Sequence, residues 1–187
     1  AFYQQLHGLV GVPGALSVEA MRQEHAERSD RAIEFTASNY GTTTTSAQEY
    51  AFVVDGTPAP VETHNVTESR RRQPRTVASF AVARAANDAR LAKQGIDALS
   101  DAEFIAARLY TGPMFVKFNT VLRALPGNSP PLSKRFESMC EGNRYEASLH
   151  LVSAAIAKLG RIQKAQPVFR APGGVLPDSF WRFNEYN

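Results

Sequence analysis

The spacing of apolar residues predicts helices over most of the second half of the chain. An alanine-rich helix is predicted from Val77 to Gln94, with Gly95 as the residue after its end. Ser100 and Glu103 form a capping box that starts another helix. In the last long helix, predicted over residues 144–162, apolar residues recur every three or four positions: Tyr145, Leu149, Val152, Ile156 and Leu159. This spacing predicts one buried stripe.

The first half of the chain alternates polar and apolar residues in two places, and each predicts a short strand. These segments are Arg31–Thr36 and Tyr50–Val54. The threonines at 42–45, between them, disfavour a helix because β-branched side chains are restricted at χ1. A short polar helix is predicted over 18–28, and the proline-containing segment 57–75 predicts an exposed connection.

A short strand is predicted shortly after the last helix. Val168 and Phe169 favour strand structure, and Pro167 suits the first position of a strand. Arg170 follows directly, before a Pro-Gly-Gly turn at 172–174. Its planar guanidinium offers paired donors that fit a phosphate. The alternative is a strand-end arginine that reaches solvent or a nearby carboxylate. Arg170 is therefore the candidate binding residue.

Together these elements predict an α+β fold with four or five helices and a few short strands. We expect three parts along the chain. Residues 1–16 form an N-terminal arm, residues 17–75 a small extension of strands and loops, and residues 76–187 a helical lobe with the first strand.

Composition and charge exclude several classes of protein. A hydrophobic share of 43% and a charged share of 21% are typical of soluble globular proteins, and no apolar run is long enough for a transmembrane helix. Arg70, Arg71, Arg72 and Arg75 lie in a polar loop without interleaved aromatic residues, so nucleic-acid binding is not expected. The single cysteine and four scattered histidines give no metal-binding spacing, and no catalytic residue is predicted.

The first residue is Ala1 rather than methionine. This indicates a processed or partial chain, such as an organellar or secreted form, and the compartment itself is not predicted.

Several groups of residues follow one another in a recognisable order. They are Tyr110-Thr111-Gly112-Pro113, then Phe118-Asn119 and Leu122-Arg123 on one helix, then Leu149, Ala155 and Leu159 on a second helix, then Val168-Phe169-Arg170, and finally Leu176-Pro177 and Phe180-Trp181. This order resembles the mono-ADP-ribosyltransferase family of the arginine–serine–glutamate type. Upstream, Asn39–Thr44 and Tyr50–Val53 resemble the N-terminal extension of such proteins in algae and related protists. The resemblance covers the chain from about residue 35 to its end.

The resemblance implies a fold and a chemistry. The chain would correspond to the N-terminal helical lobe and first strand of an ADP-ribosyltransferase domain. In this family NAD⁺ binds in a cleft, and the bond between nicotinamide and ribose breaks through a cation-like transition state. The first-motif arginine, here Arg170, would bind the phosphates of NAD⁺. A serine from a later Ser-Thr-Ser strand and a glutamate from a later turn complete the site, the glutamate facing the developing positive charge.

Neither later motif occurs after Arg170, where Glu185 is the only glutamate. We therefore expect no activity from this chain alone, and a NAD-dependent ADP-ribosyltransferase if the chain is completed. The favoured hypothesis is an ADP-ribosyltransferase-like module, catalytically incomplete and docked in a larger protein or assembly.

Two alternatives remain open at this stage. One is a non-catalytic structural or linker subunit of a multi-protein complex, and the other is part of an active transferase whose catalytic half is missing. The aromatic residues of the tail favour a protein partner: they are Phe180, Trp181, Phe183 and Tyr186. NAD is implied by the resemblance only.

Overall fold

The computed structural model describes residues 14–27, 33–34, 43–57, 76–125, 127, 129–164 and 167, together with residues 6 and 8. The α-helices in this part of the chain are α1 (Val18–Arg22), α2 (Ser46–Val54), α3 (Ala81–Ala92), α4 (Asp101–Thr111), α5 (Phe115–Ala124), α6 (Pro130–Cys140) and α7 (Glu146–Arg161). A π-helical turn, Gln23–Glu27, continues α1, and a 3₁₀ turn, Val77–Phe80, precedes α3.

Strand structure in these ranges is limited to one very short ladder. β1 (Ile33–Glu34) pairs antiparallel with β2 (Thr43–Thr44), and Ile33 lies opposite Thr44. The predicted α+β class is therefore wrong, because the described part of the chain is a helical fold in which no sheet forms a layer. The strand predicted at Val168 and Phe169 lies outside the described residues.

The clearest local error concerns α2, where the alternating segment Tyr50–Val54 was expected to be a strand. Here Thr45 and Gln48 form a capping box that starts a helix. The Gln48 backbone N–H donates to Thr45 Oγ1 at 3.1 Å, and the Thr45 N–H donates to Gln48 Oε1 at 2.9 Å. These bonds satisfy donors that a helix start leaves open, and burial of Tyr50 and Phe52 stabilises the helical conformation further. Capping and burial together outweigh the strand-like alternation.

Four predicted helices are confirmed. The helix predicted over 18–28 corresponds to α1 and its π-helical turn. α3 lies within the alanine-rich segment, α4 begins after the predicted capping box, and α7 spans nearly all of the predicted range. The cap of α4 has both expected bonds, since Glu103 N–H donates to Ser100 Oγ at 3.1 Å and Ser100 N–H donates to Glu103 Oε2 at 2.8 Å. The sequence analysis did not predict α6, whose first residue is Pro130. Proline is well suited to that first helical position.

Helices α4, α5 and α7 form the centre of the apolar core. α4 packs along α7, and α5 packs against α6. One large cluster contains Met21 from α1, Phe52 from α2, Leu109 from α4, Phe118 from α5 and Val152 from α7, all buried. Residues from the predicted extension and from the predicted lobe thus share a core. The boundary predicted at 75/76 remains a prediction, because residues 58–75 lie outside the described ranges.

The remaining core contacts attach α3 and α1. Leu91, Leu99 and Ala155 form a small second cluster through which α3 packs on α7. The Tyr50 hydroxyl donates to the Val18 carbonyl at 3.1 Å and joins α2 to α1. Burial raises the pKa of the Tyr50 phenol, so this group remains a neutral donor at physiological pH.

Within the described ranges, none of the helices has the length and apolar character needed to cross a membrane.

Candidate functional site

Arg170, the predicted binding residue, lies outside the described residues. The structure does describe the helix that leads towards it. α7 ends at Arg161, and the chain is described as far as Lys164 and again at Pro167. Within the same described ranges, no group of three or more histidine, cysteine, aspartate or glutamate residues is arranged to hold a metal ion. The site is therefore built from α7 and the residues that surround its two ends.

The N-terminus of α7 is capped by a carboxylate from another part of the chain. Its own N-cap residue, Tyr145, makes no side-chain cap bond and has a left-handed backbone with φ of 49°. Glu24, in the π-helical turn, accepts hydrogen bonds from Ala147 N–H at 2.6 Å and from Ser148 N–H at 3.0 Å. The Ser148 hydroxyl also donates to Glu24, at 2.7 Å. A negative group here satisfies open N–H donors and complements the helix dipole.

The Glu24 carboxyl is largely removed from water. Burial raises its pKa above the ordinary value of 4.5, although the bonds from Ser148 and Ala147 act in the opposite direction. The nearby negative charge of Glu146 raises the pKa further. A cleft of roughly 210 Å³ lies beside it and is lined by Glu24, Gly142, Asn143, Arg144, Tyr145 and Glu146.

His25 is a core residue rather than part of an accessible site. It is fully buried, and its Nε2 lies 3.0 Å from Ser148 Oγ. The rings of three aromatic residues surround it, with centroid distances of 5.0 Å to Tyr145, 5.7 Å to Tyr50 and 5.8 Å to Phe118. This environment indicates that His25 fixes the π-helical turn and Glu24 against α7.

A second buried polar network joins α2, α5 and the start of α7. Lys117 Nζ donates to Ser46 Oγ at 3.2 Å, and Ser46 Oγ lies 2.7 Å from Tyr145 Oη. Serine paired with lysine occurs in nucleophilic catalysis. Here Lys117 and Ser46 are fully buried and Tyr145 is only 1% exposed, so a substrate could not reach the hydroxyl. The network positions three helices and is not a reaction centre.

The C-terminal half of α7 is held by two charged side chains. Lys158 Nζ, on α7, donates to Glu103 Oε2 at 2.8 Å and to the Ala98 carbonyl at 3.0 Å. Arg90, on α3, donates to the carbonyl of Ile162 just after α7 ends. α7 is thus tied to its neighbours at both ends, which fixes the direction in which the chain leaves it.

A positively charged groove of roughly 330 Å³ lies where the C-termini of α3 and α7 meet. It is lined by Arg90, Lys93, Gln94, Arg161, Ile162, Gln163 and Lys164, and none of these residues carries a carboxylate. We call it the cationic groove.

Comparison with family models, with curated proteins and with solved structures finds no significant match to this chain.

Sequence reasoning missed these polar residues for different reasons. Arg90 and Lys93 are separated from Arg161 and Lys164 by about seventy residues, and only tertiary packing brings them together. Glu24 and His25 lie in the segment 18–28, for which only a short polar helix was predicted. The signal for the groove was the accumulation of cations at the ends of two predicted helices, where they also complement helix dipoles.

Proposed function

We propose that this chain is the helical scaffold of an ADP-ribosyltransferase-like module, and that Arg170 binds the phosphates of NAD⁺. In this proposal the described helices position the arginine and do not break bonds themselves. No described side chain is assigned to the bond between nicotinamide and ribose. The expected contribution is therefore cofactor binding.

The order of the helices supports the proposal. Tyr110 and Thr111 end α4, and Gly112 and Pro113 separate it from α5. The Phe118-Asn119 and Leu122-Arg123 pairs lie on α5, and α7 is the last described helix before Arg170. The resemblance implies these two helices ahead of the first-motif arginine, and α6, which lies between them, is an addition to that order. The strand predicted at Val168 and Phe169 lies outside the described residues and stays a prediction.

The observation that carries the proposal is the fixation of α7 at both ends. Glu24 caps its N-terminus, and the Lys158–Glu103 pair and Arg90 hold its C-terminal half. The described residues after α7, as far as Lys164, therefore leave the helix in a direction that packed helices set, and Arg170 follows six residues later in the sequence. A binding group that is positioned before the ligand arrives loses less entropy on binding, which favours recognition of a phosphate.

The proposal is tested by titrating NAD⁺ into the full chain and into Arg170→Ala by isothermal calorimetry. We expect Arg170→Ala to weaken NAD⁺ binding about ten- to a hundredfold, because a charge-assisted hydrogen-bonding group is lost. Arg123→Ala is the matched control, since Arg123 is an exposed arginine in the last turn of α5. Equal affinities for the two variants, or no NAD⁺ binding by the folded wild-type chain, would contradict the proposal.

A non-catalytic module docked in a larger protein or assembly is the second candidate. Two apolar side chains on well-formed helices support it. Val82 on α3 is 86% exposed, and Ile156 on α7 is 56% exposed, so the prediction that Ile156 belongs to the buried stripe was wrong. Covering apolar side chains of this size is favourable on association. The same titration separates the two candidates. If the folded chain does not bind NAD⁺, the result favours the docked module over a NAD⁺-binding site at Arg170.

A further inference from the structure

The cationic groove brings four positively charged side chains together, and no acidic side chain lines it. Arg90 donates to a backbone carbonyl, and the side chains of Lys93, Arg161 and Lys164 make no hydrogen bond or ion pair within the described ranges. The C-termini of α3 and α7 each supply about half a negative charge. These offset roughly one of the four cations. About three positive charges therefore remain in one small concave site.

Such a site favours a small anion that carries more than one charge. Like charges that are held together repel one another, and a multivalent anion removes that repulsion when it binds. Arginine presents a planar fork to phosphate oxygens, and lysine adds a compact charge. Gln94 and Gln163 also line the groove, and their amide groups can donate to oxygens that the cations leave open. Together these groups suit a diphosphate better than a carboxylate.

We propose that the cationic groove is a binding site for a diphosphate-bearing ligand, formed by Arg161 and Lys164 with Arg90 and Lys93. Arg90 and Lys93 come from the end of α3, whereas Arg161 and Lys164 come from the end of α7 and the residues after it. The ligand therefore bridges two helices that already meet through a small apolar cluster and the hydrogen bond from Arg90 to the Ile162 carbonyl.

The residues that line this site do not include Arg170, and they lie at the ends of α3 and α7. The two proposals can fail independently. The cationic groove predicts diphosphate binding that does not require Arg170, whereas the proposed function predicts NAD⁺ binding that does.

The test uses the full isotope-labelled chain, with inorganic pyrophosphate as the probe and nuclear magnetic resonance as the readout. We expect pyrophosphate to shift the backbone amides of Ile162, Gln163 and Lys164 and the side-chain amide of Gln94. The double variant Arg161→Glu/Lys164→Glu should weaken binding at least about tenfold, because it replaces two attractive charges by repulsive ones. Both residues are exposed, so the fold should tolerate the change.

The matched control is Arg123→Glu/Lys134→Glu, which makes the same charge change at exposed positions on α5 and α6. A second arm replaces pyrophosphate by phosphatidylcholine vesicles with and without a phosphoinositide. Loss of pyrophosphate binding in the groove variant, with retention in the control and in Arg170→Ala, supports a soluble diphosphate ligand. Binding only to phosphoinositide vesicles, with the same dependence on Arg161 and Lys164, supports a lipid headgroup. Equal weakening by the groove and control variants, or no binding to either probe, overturns the inference.

Discussion

At the scale of single residues, Glu24 is the side chain on which the position of α7 depends most. Tyr145 makes no side-chain cap bond to α7, and Glu24 caps the helix instead. The two partners of this cap, Glu24 and Ala147, are more than a hundred residues apart in the sequence. Asn143 reinforces the arrangement from the other side, since its side-chain amide donates to the Glu24 carbonyl at 2.7 Å. The carboxylate thus connects the first described helix to the longest one.

The titration of Glu24 gives a pH prediction. Because burial raises its pKa in the folded state, the folded chain binds a proton more tightly than the unfolded chain does. The tighter proton binding by Glu24 adds to the free energy of unfolding. This stabilisation is fully present below 4.5, the ordinary pKa of a glutamate, and it is lost as the pH rises through the folded-state pKa of Glu24. We expect the stability of the wild type relative to Glu24→Gln, measured by urea denaturation, to increase as the pH is lowered from neutrality towards 4.5.

Glu137→Gln is the control for this experiment, because Glu137 is an exposed carboxylate on α6. It should show no comparable trend. The opposite result would be a wild type that loses stability relative to Glu24→Gln as the pH falls. It would mean that the hydrogen bonds to Glu24 lower its pKa more than burial raises it, contrary to this account.

At the scale of elements, local capping signals predicted helices well, whereas alternation was a weaker guide to strands. Of the two alternating segments, Arg31–Thr36 contains the short strand β1, but Tyr50–Val54 is helical. The Ser100 box, the alanine-rich segment and the apolar stripe of α7 are strong local signals, and each corresponds to a helix. For α2 a capping signal was also present at Thr45 and Gln48, but the threonine run and the alternation at Tyr50–Val54 favoured a strand. The cap on α7 could not be predicted in this way, because Glu24 reaches it only through tertiary packing.

The pairing of α4 with α7 gives a prediction at this scale. The Lys158–Glu103 ion pair is largely shielded, with side-chain exposures of 25% and 10%, and it joins the two helices. In a double-mutant cycle with Lys158→Met and Glu103→Gln, we expect a coupling free energy of about 1 kcal/mol. Glu103→Gln keeps an oxygen that can accept the Ser100 N–H bond, so the cycle isolates the ion pair.

The comparison pair for this cycle is Arg22–Glu19 within α1, where both side chains are about half exposed. Its coupling should be smaller, because water screens the two charges. Chemical denaturation measures both cycles, and equal coupling in the two pairs would show that shielding does not strengthen the contact between α4 and α7.

At the scale of the whole molecule, the sequence predicted the helices more successfully than the fold class, and the role of Arg170 stays a prediction because that residue lies outside the described ranges. The α+β prediction depended on strands at Arg31–Thr36, Tyr50–Val54 and Val168–Phe169. The first segment contains only the two-residue strand β1, the second is helical, and the third lies outside the described residues. The cationic groove could not be predicted because its two halves come from distant helix ends. Periodicity identifies the face of a helix that is buried, but it does not identify the neighbour that covers it.

The central claim is that a helical scaffold presents Arg170 to the phosphates of NAD⁺. The most direct measurement compares the affinities of NAD⁺ and nicotinamide riboside, which has the same base and ribose but no phosphate, for the wild type and for Arg170→Ala. The account predicts that the wild type binds NAD⁺ at least about tenfold more tightly than nicotinamide riboside, and that Arg170→Ala removes most of this preference. Equal affinities of the wild type for the two compounds, or a preference that Arg170→Ala leaves intact, would contradict it.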